Sequence, residues 1–286
     1  MSERGAARRR IGAVLISLAV LASTVRFGPP ALLHGFGLHP EPEPRSFDLA
    51  GRRALIVATN QHVLGDTGKA TGVASSELTA PYYEFLDAGM EVDVASVRGG
   101  RIPVDPQTLL WLIRSPYDDR ALADPVLQEK IASSRKVGDL DFTRYDVVFL
   151  AGGWGAAYDL GYSDELGAGI SAANAAGKVV GGVCHGALGL LRARTPDGRP
   201  LVEGRRLTAV TDKQVQELGV DVTPQHPETE LRRAGAAFES RTAFRDFFAS
   251  HVVVDGNLVT GQNQNSGAGT AQKMMEQLAA PASRAS

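Results

Sequence analysis

Between residues 178 and 187 a short apolar run passes through Gly181, Gly182, Val183, Cys184, His185, Gly186 and Ala187 into a stretch of helical pattern. A buried strand that turns at once into a helix restricts the chain to layered α/β folds in which a residue is displayed at the carboxyl end of a strand. Cys184 occupies that turn. Small neighbours let the backbone bend, the side chain projects over the sheet edge, and the following helix N-terminus favours a thiolate. The Gly-x-Cys-x-Gly spacing also leaves the next amide free to donate to a developing oxyanion. An isolated buried cysteine is more often an inert small hydrophobe; the glycine-rich elbow favours a nucleophile. Cys184 is the only cysteine in the chain, which excludes an intrachain disulfide and any multi-cysteine metal site.

Short β-branched runs alternate with longer helical patterns from Arg52 onward, the signature of a mostly parallel sheet covered on both faces. Strands are expected at residues 54–59, 91–97, 146–151, 178–183, 207–211 and 251–254. Val252, Val253 and Val254 face Leu258, Val259 and Thr260 across Asp255, Gly256 and Asn257 as a hairpin. Helices are expected at 75–88, 164–176, 185–193, 212–218, 229–234 and 268–278, with Gly89 and Gly177 as left-handed caps. Residues 101–140 show no clean period and read as an insertion with short helices, shaping a pocket lip or an oligomer contact.

The ends differ from this body. Arg4, Arg8, Arg9 and Arg10 precede an apolar stretch of 15 residues, 11–25, and Arg8-Arg9 resembles a weak twin-arginine signal. Residues 1–27 are therefore read as a signal peptide or an N-terminal membrane anchor, placing the protein in or beyond a bacterial cell membrane. Residues 28–51 carry Pro29, Pro30, Pro40, Pro42 and Pro44 and read as a linker, 52–280 as the domain and 281–286 as a tail. Lys and Arg number 30 against 32 Asp and Glu, a formal net charge of -2 that gives no electrostatic basis for nucleic-acid binding. His34, His39, His62, His226 and His251 lack metal-ligand spacing, so no metal is expected.

Five segments, taken together and in order, resemble the DJ-1/PfpI superfamily of the class I glutamine-amidotransferase-like fold, closest to its Hsp31-like, glyoxalase-III-like branch. They are Gly72 to Leu78 with Pro81-Tyr82; Asp93 to Val97 with Gly99-Gly100 and Pro103 to Pro106; Ala151 to Gly155; Gly182 to Gly186; and Thr260 to Ser266. The resemblance implies a flavodoxin-like three-layer sandwich, no cofactor, and a homodimer. It places Glu77 beside the cysteine sulfur as general acid and base. An enclosed carboxyl there holds its proton tightly, although a first-turn helix glutamate explains Glu77 equally simply.

His185 matches the histidine that follows the family cysteine, and Asp212 or Glu217 is the expected acidic third member of a triad; a helix N-cap is the competing reading of Asp212. Gly153 is expected to supply a second oxyanion donor. Trp154 stands where Hsp31-like enzymes often carry histidine, so it lines an apolar pocket or simply packs. Asn263 and Gln264 are expected to face the pocket or to shape a turn. The activity so implied is glutathione-independent conversion of a small 2-oxoaldehyde to a hydroxy acid through Cys184 and Glu77. The alternatives are a chaperone that binds unfolded proteins through an exposed 101–140 segment carrying Trp111 and Tyr117, or a redox sensor. Two further readings are a peptidase and a glutamine amidotransferase using His226 and Glu228; the latter pair lies only 42 positions after Cys184 and not behind a terminal strand.

Overall fold

The computed structural model describes residues 29, 31–40, 43 and 45–279. Seven strands form one sheet: β1 (Arg53–Ala58), β2 (Glu91–Ser96), β3 (Arg135–Lys136), β4 (Val147–Leu150), β5 (Val179–Val183), β8 (Val252–Asp255) and β9 (Leu258–Gly261), in the order β3-β2-β1-β4-β5-β9-β8. Every pairing is parallel except the β8–β9 hairpin. Successive residues along β1 bury on opposite faces, Ala54, Ile56 and Ala58 in one core and Leu55 and Val57 in the other. A strand covered on both sides must be apolar throughout, which is why β1 and β4 show no alternation.

From Ser75 onward, eight α-helices follow in chain order among the described residues: α1 (Ser75–Asp87), α2 (Pro116–Leu122), α3 (Pro125–Ala132), α4 (Ala156–Asp159), α5 (Asp164–Ala175), α6 (Asp212–Glu217), α7 (Pro227–Arg233) and α8 (Gly267–Ala279). One core places Tyr83 and Phe85 of α1 and Met274 of α8 against the sheet; the other places Leu166 and Ile170 of α5 on the opposite face. The result is the expected three-layer α/β sandwich. Gly89 and Gly177 take φ of +84° and +70° just past α1 and α5, the left-handed caps read from the sequence.

Two expectations change. The segment after Cys184 is a 3-10 helix, Cys184–Arg192, not an α-helix. Gly186 and Gly189, three apart and eclipsed in a 3-10 helix, both abut Leu150; a β-carbon on Gly186 would stand 2.3 Å from the Leu150 carbonyl oxygen. The strand expected at 207–211 shrinks to β6 (Arg206–Leu207), paired with β7 (Ala237–Phe238) in a separate two-stranded sheet. The Thr208 N–H goes to the Thr260 hydroxyl instead of to a strand partner. The short helices expected in the 101–140 insertion are α2 and α3, started by Ser115 and Asp124 as N-caps ahead of proline.

Part of the stretch read as a linker is packed against the domain. Leu38 and Leu49 are buried, and the Leu49 N–H donates to the Ala88 carbonyl. Among the described residues no helix is long and apolar enough to cross a membrane. The leader or anchor read at residues 1–27 lies outside the described residues.

Candidate functional site

Cys184 has φ +54°, a left-handed conformation that costs a side-chain-bearing residue free energy and marks the elbow as held in place by its surroundings. The crevice above it lies at the carboxyl ends of β1, β4 and β5, where strand order reverses between β1 and β4 and such folds bind ligands. Backbone N–H groups of His185 and Gly153 lie against Cys184 and favour its charged form. Two donors around one sulfur form the arrangement that would receive an oxyanion once the sulfur has added to a carbonyl.

Glu77 is brought there by the loop before α1. Ala74 N–H donates to the Gly152 carbonyl and Gly155 N–H to the Gly72 carbonyl, so the start of α1 is stitched to the loop after β4. Ser75 and Thr79, on either side of Glu77, both give hydroxyl hydrogens to Asp118 of α2, at 2.6 and 2.7 Å. The first turn of α1 is thereby fixed. Gly152 completes the fit, since a β-carbon there would stand 2.3 Å from Glu77 Oε2.

Burial raises the Glu77 carboxyl to about 8; the Cys184 thiol and the Gly152 N–H lie against it and favour the charged form less strongly than burial opposes it. Oε2 is buried without a hydrogen-bond partner. Burial and a charged Glu77 push the Cys184 thiol above its ordinary range, while the His185 and Gly153 N–H groups pull it down. A proton on Glu77 removes the charge repulsion on Cys184; burial, the larger cause, still opposes the thiolate, and the His185 and Gly153 N–H groups favour it.

His185 is fully buried. Burial, and then the neighbouring His226, lowers it to about 3, so the ring is neutral across the physiological range. Its Nδ1 lies 3.5 Å from Cys184 Sγ, and Trp154 packs edge-on to the ring with centroids 5.0 Å apart. The acidic third member is not assembled. Asp212 accepts from the Thr229 hydroxyl at 2.6 Å, and its N–H donates to Glu228; among the described residues it makes no hydrogen bond to His185, it does not line the crevice, and its Oδ1 is buried without a partner. Its N-cap alternative also fails, because Thr211 caps α6. Glu217 accepts from the Asp246 N–H. His185 Nε2 is left without a partner. Nor do His226 and Glu228 form a dyad with Cys184, for Glu228 is taken up by Asp212 and Arg232.

The crevice encloses about 170 Å³ and is lined by Glu77, Gly153, Trp154, Cys184 and His185 on its floor. Asn263 is absent from the lining. It is wholly buried, donating to Gln214 Oε1 and the Asp246 carbonyl, and so supports Gln214, which together with Gln264 does face the cavity. The roof also holds residues that sequence reading missed: His39, Asp105, Ile113 and Phe247. Only Asp105 carried a signal, as part of the Pro103 to Pro106 segment. Among the described residues no group of three or more His, Cys, Asp or Glu side chains is placed to hold a metal ion.

The model of the DJ-1/PfpI family matches residues 69–277. The chain belongs to the DJ-1/PfpI family. Within that family it is 29% identical over 241 residues to the glutathione-independent glyoxalase HSP31 of Saccharomyces cerevisiae, covering 80% of this chain and 99% of that protein. It is 27% identical over 235 residues to the glutathione-independent glyoxalase hsp3101 of Schizosaccharomyces pombe, covering 78% and 93%. The crystal structure of glyoxalase III from Candida albicans superposes with a TM-score of 0.73 at 25% identity, covering 79% of this chain and 97% of that one.

These matches bear on the N-terminal expectation. Nearly the whole length of such relatives is accounted for by about four fifths of this chain, and no described helix can cross a membrane. The membrane-anchored or exported placement read from residues 1–27, with its transmembrane helix and membrane partner, is accordingly withdrawn.

Proposed function

We propose that this DJ-1/PfpI protein is a glutathione-independent glyoxalase that converts small 2-oxoaldehydes such as methylglyoxal into 2-hydroxy acids, with Cys184 as nucleophile and Glu77 as proton carrier. The observation that carries the reading is geometric: a wholly buried Glu77 carboxyl lies against Cys184 on a left-handed elbow, and both line one crevice with Gly153 and His185, while burial holds the carboxyl protonated to about 8. Relatives named as glutathione-independent glyoxalases support the same chemistry.

The thiolate adds to the aldehyde carbon while Glu77 gives its proton to the aldehyde oxygen, forming a hemithioacetal and leaving a carboxylate. That carboxylate takes the hydrogen from the former aldehyde carbon, and the released electron pair passes through an enediolate to the keto oxygen. Glu77 returns the proton to the neighbouring carbon, and the remaining hydroxyl proton moves to the adjacent oxygen. One carbon is oxidised, its neighbour reduced, and the product is a thioester of Cys184. Water cleaves it to the hydroxy acid and restores the thiol. His185 and Gly153 N–H groups stabilise the oxygen charge at each stage. Neutral His185 takes no charge in this scheme, and Asp212 takes no part.

The test is methylglyoxal consumption by the full chain without glutathione, with product identification. Lactate made by the wild type and not by Cys184→Ala supports the reading; a folded wild type that makes none overturns it. A second reading, binding of unfolded chains, is supported by Leu110, Trp111, Leu122 and Val126, each about half exposed on the inserted segment. Tyr117 does not contribute, since it packs on the core with its hydroxyl bonded to Glu84. Suppression of client aggregation that survives Cys184→Ala would favour this second role.

A further inference from the structure

A second cavity of about 200 Å³ adjoins the first, reached past a roof made of His39, Ser76 and Gln264, which line both. These three residues differ in what they have left to offer. Gln264 is committed, its Nε2 donating to the Phe247 carbonyl and its Oε1 accepting from Gln214. His39 is pinned at φ +47°, with its backbone N–H given to Asn265 Oδ1 at 2.8 Å and its Nε2 placed 2.7 Å from the Ile113 carbonyl oxygen. A carbonyl oxygen can only accept, so Nε2 carries the ring hydrogen. Burial lowers the pKa of His39 and keeps the ring neutral, which leaves Nδ1 with a free lone pair. Among the described residues nothing bonds to Nδ1. The Ser76 hydroxyl, in a residue only 5% exposed, likewise has no partner among them.

We infer that His39 Nδ1 and the Ser76 hydroxyl form a subsite for a hydroxyl on the substrate tail, and that the preferred substrates are 2-oxoaldehydes bearing a hydroxylated chain beyond the keto carbon. This rests on the glyoxalase reading of Cys184 and Glu77. Hydroxyls on a tail entering the second cavity can donate to Nδ1 and accept from the Ser76 hydroxyl, since both residues line that cavity. An apolar tail of the same length fills the space but strips water from both groups and returns nothing, the situation in which an enzyme discriminates against the analogue lacking the polar group. Sugars that lose water yield 2-oxoaldehydes of the hydroxylated class.

The experiment compares 3-deoxyglucosone with 2-oxohexanal, equal in chain length and different in hydroxyls, using the full chain. The ratio of their kcat/KM values is expected to be roughly tenfold in favour of the hydroxylated compound, the scale of one good hydrogen bond. Ser76→Ala and His39→Phe should each lower that ratio about threefold or more. A wild-type ratio at or below one, or a ratio that neither substitution moves, overturns the subsite. Binding of the two corresponding products, 2,4,5,6-tetrahydroxyhexanoate and 2-hydroxyhexanoate, gives the comparison without turnover. A protein that binds the former more tightly but turns over neither aldehyde keeps the subsite and loses the proposed reaction; equal binding removes the subsite whatever the kinetics.

Discussion

The floor and the roof of the crevice are built in opposite ways. The floor consists of strand ends and the loops leaving them: Cys184 after β5, Gly152 and Gly153 after β4, and Glu77 in the first turn of α1. Each is set by a short local segment, and backbone hydrogen bonds lock the segments to one another. The roof is assembled from pieces distant in sequence, such as His39 held by Asn265 across 226 positions and Gln264 held by Gln214 across 50. A floor of this kind tolerates no shift, because reaction requires its atoms within tenths of an ångström. The roof can be varied to suit a substrate without disturbing the chemistry below.

Substitutions in the floor should therefore act on the reaction itself, and those outside it on selectivity or stability. Cys184→Ala should lower kcat/KM for methylglyoxal by about a thousandfold or more, as loss of a covalent nucleophile does. Glu77→Gln keeps the shape but cannot carry a proton, and a loss of about 10² to 10⁴ is expected. Gly152→Ala pushes a methyl into Glu77 Oε2 and should cost about a hundredfold through misplacement, with the fold retained by circular dichroism. Asp212→Asn tests the boundary of the floor: since Asp212 bonds to Thr229 and not to His185, kcat/KM should change by about threefold at most. A loss as large as that of Glu77→Gln would place Asp212 in the site and break the division drawn between the regions.

The pH dependence sharpens the same contrast. In the folded protein Glu77 keeps its proton up to about 8, whereas its ordinary value is 4.5. Between those values the native state holds a proton that the unfolded chain has released, so stability falls as pH rises through this window. Glu77→Gln has no such slope, and its thermal midpoint should gain on that of the wild type from about pH 5 to about pH 8. His185 runs the other way. Its folded value of about 3 lies below the ordinary 6.5, so its stabilising contribution is present above 6.5 and drains away as pH falls toward 3. Methylglyoxal turnover should decline above about pH 8, as Glu77 loses the proton it gives to the aldehyde oxygen.

The floor was legible in the sequence because its signals are local. Gly182-Val183-Cys184-His185-Gly186 names its own elbow, and the apolar runs of β1, β4 and β5 name the sheet beneath it. The elbow's pattern reads as an α-helix, whereas its 3-10 form comes with a close approach of Gly186 and Gly189 to Leu150 that the sequence alone does not display. Asp212 was misassigned for a related reason: position after a strand suggested a triad member, while its actual partner Thr229, 17 residues on, depends on how α6 and α7 pack. The short helices expected in the insertion start at Ser115-Pro116 and Asp124-Pro125, and at only 7 and 8 residues they are too short to give the segment a clean period. His39 had no readable signal. It lies in a proline-rich stretch, and its role at the roof exists only through Asn265 and Ile113.

The central claim is that a protonated Glu77 beside Cys184 moves hydrogen between the two carbonyl carbons. The most direct measurement follows methylglyoxal by proton NMR with wild type and Glu77→Gln, without glutathione. The account predicts lactate from the wild type, and from Glu77→Gln lactate at a rate lower by about a hundredfold or more. Lactate from Glu77→Gln at the wild-type rate would contradict it.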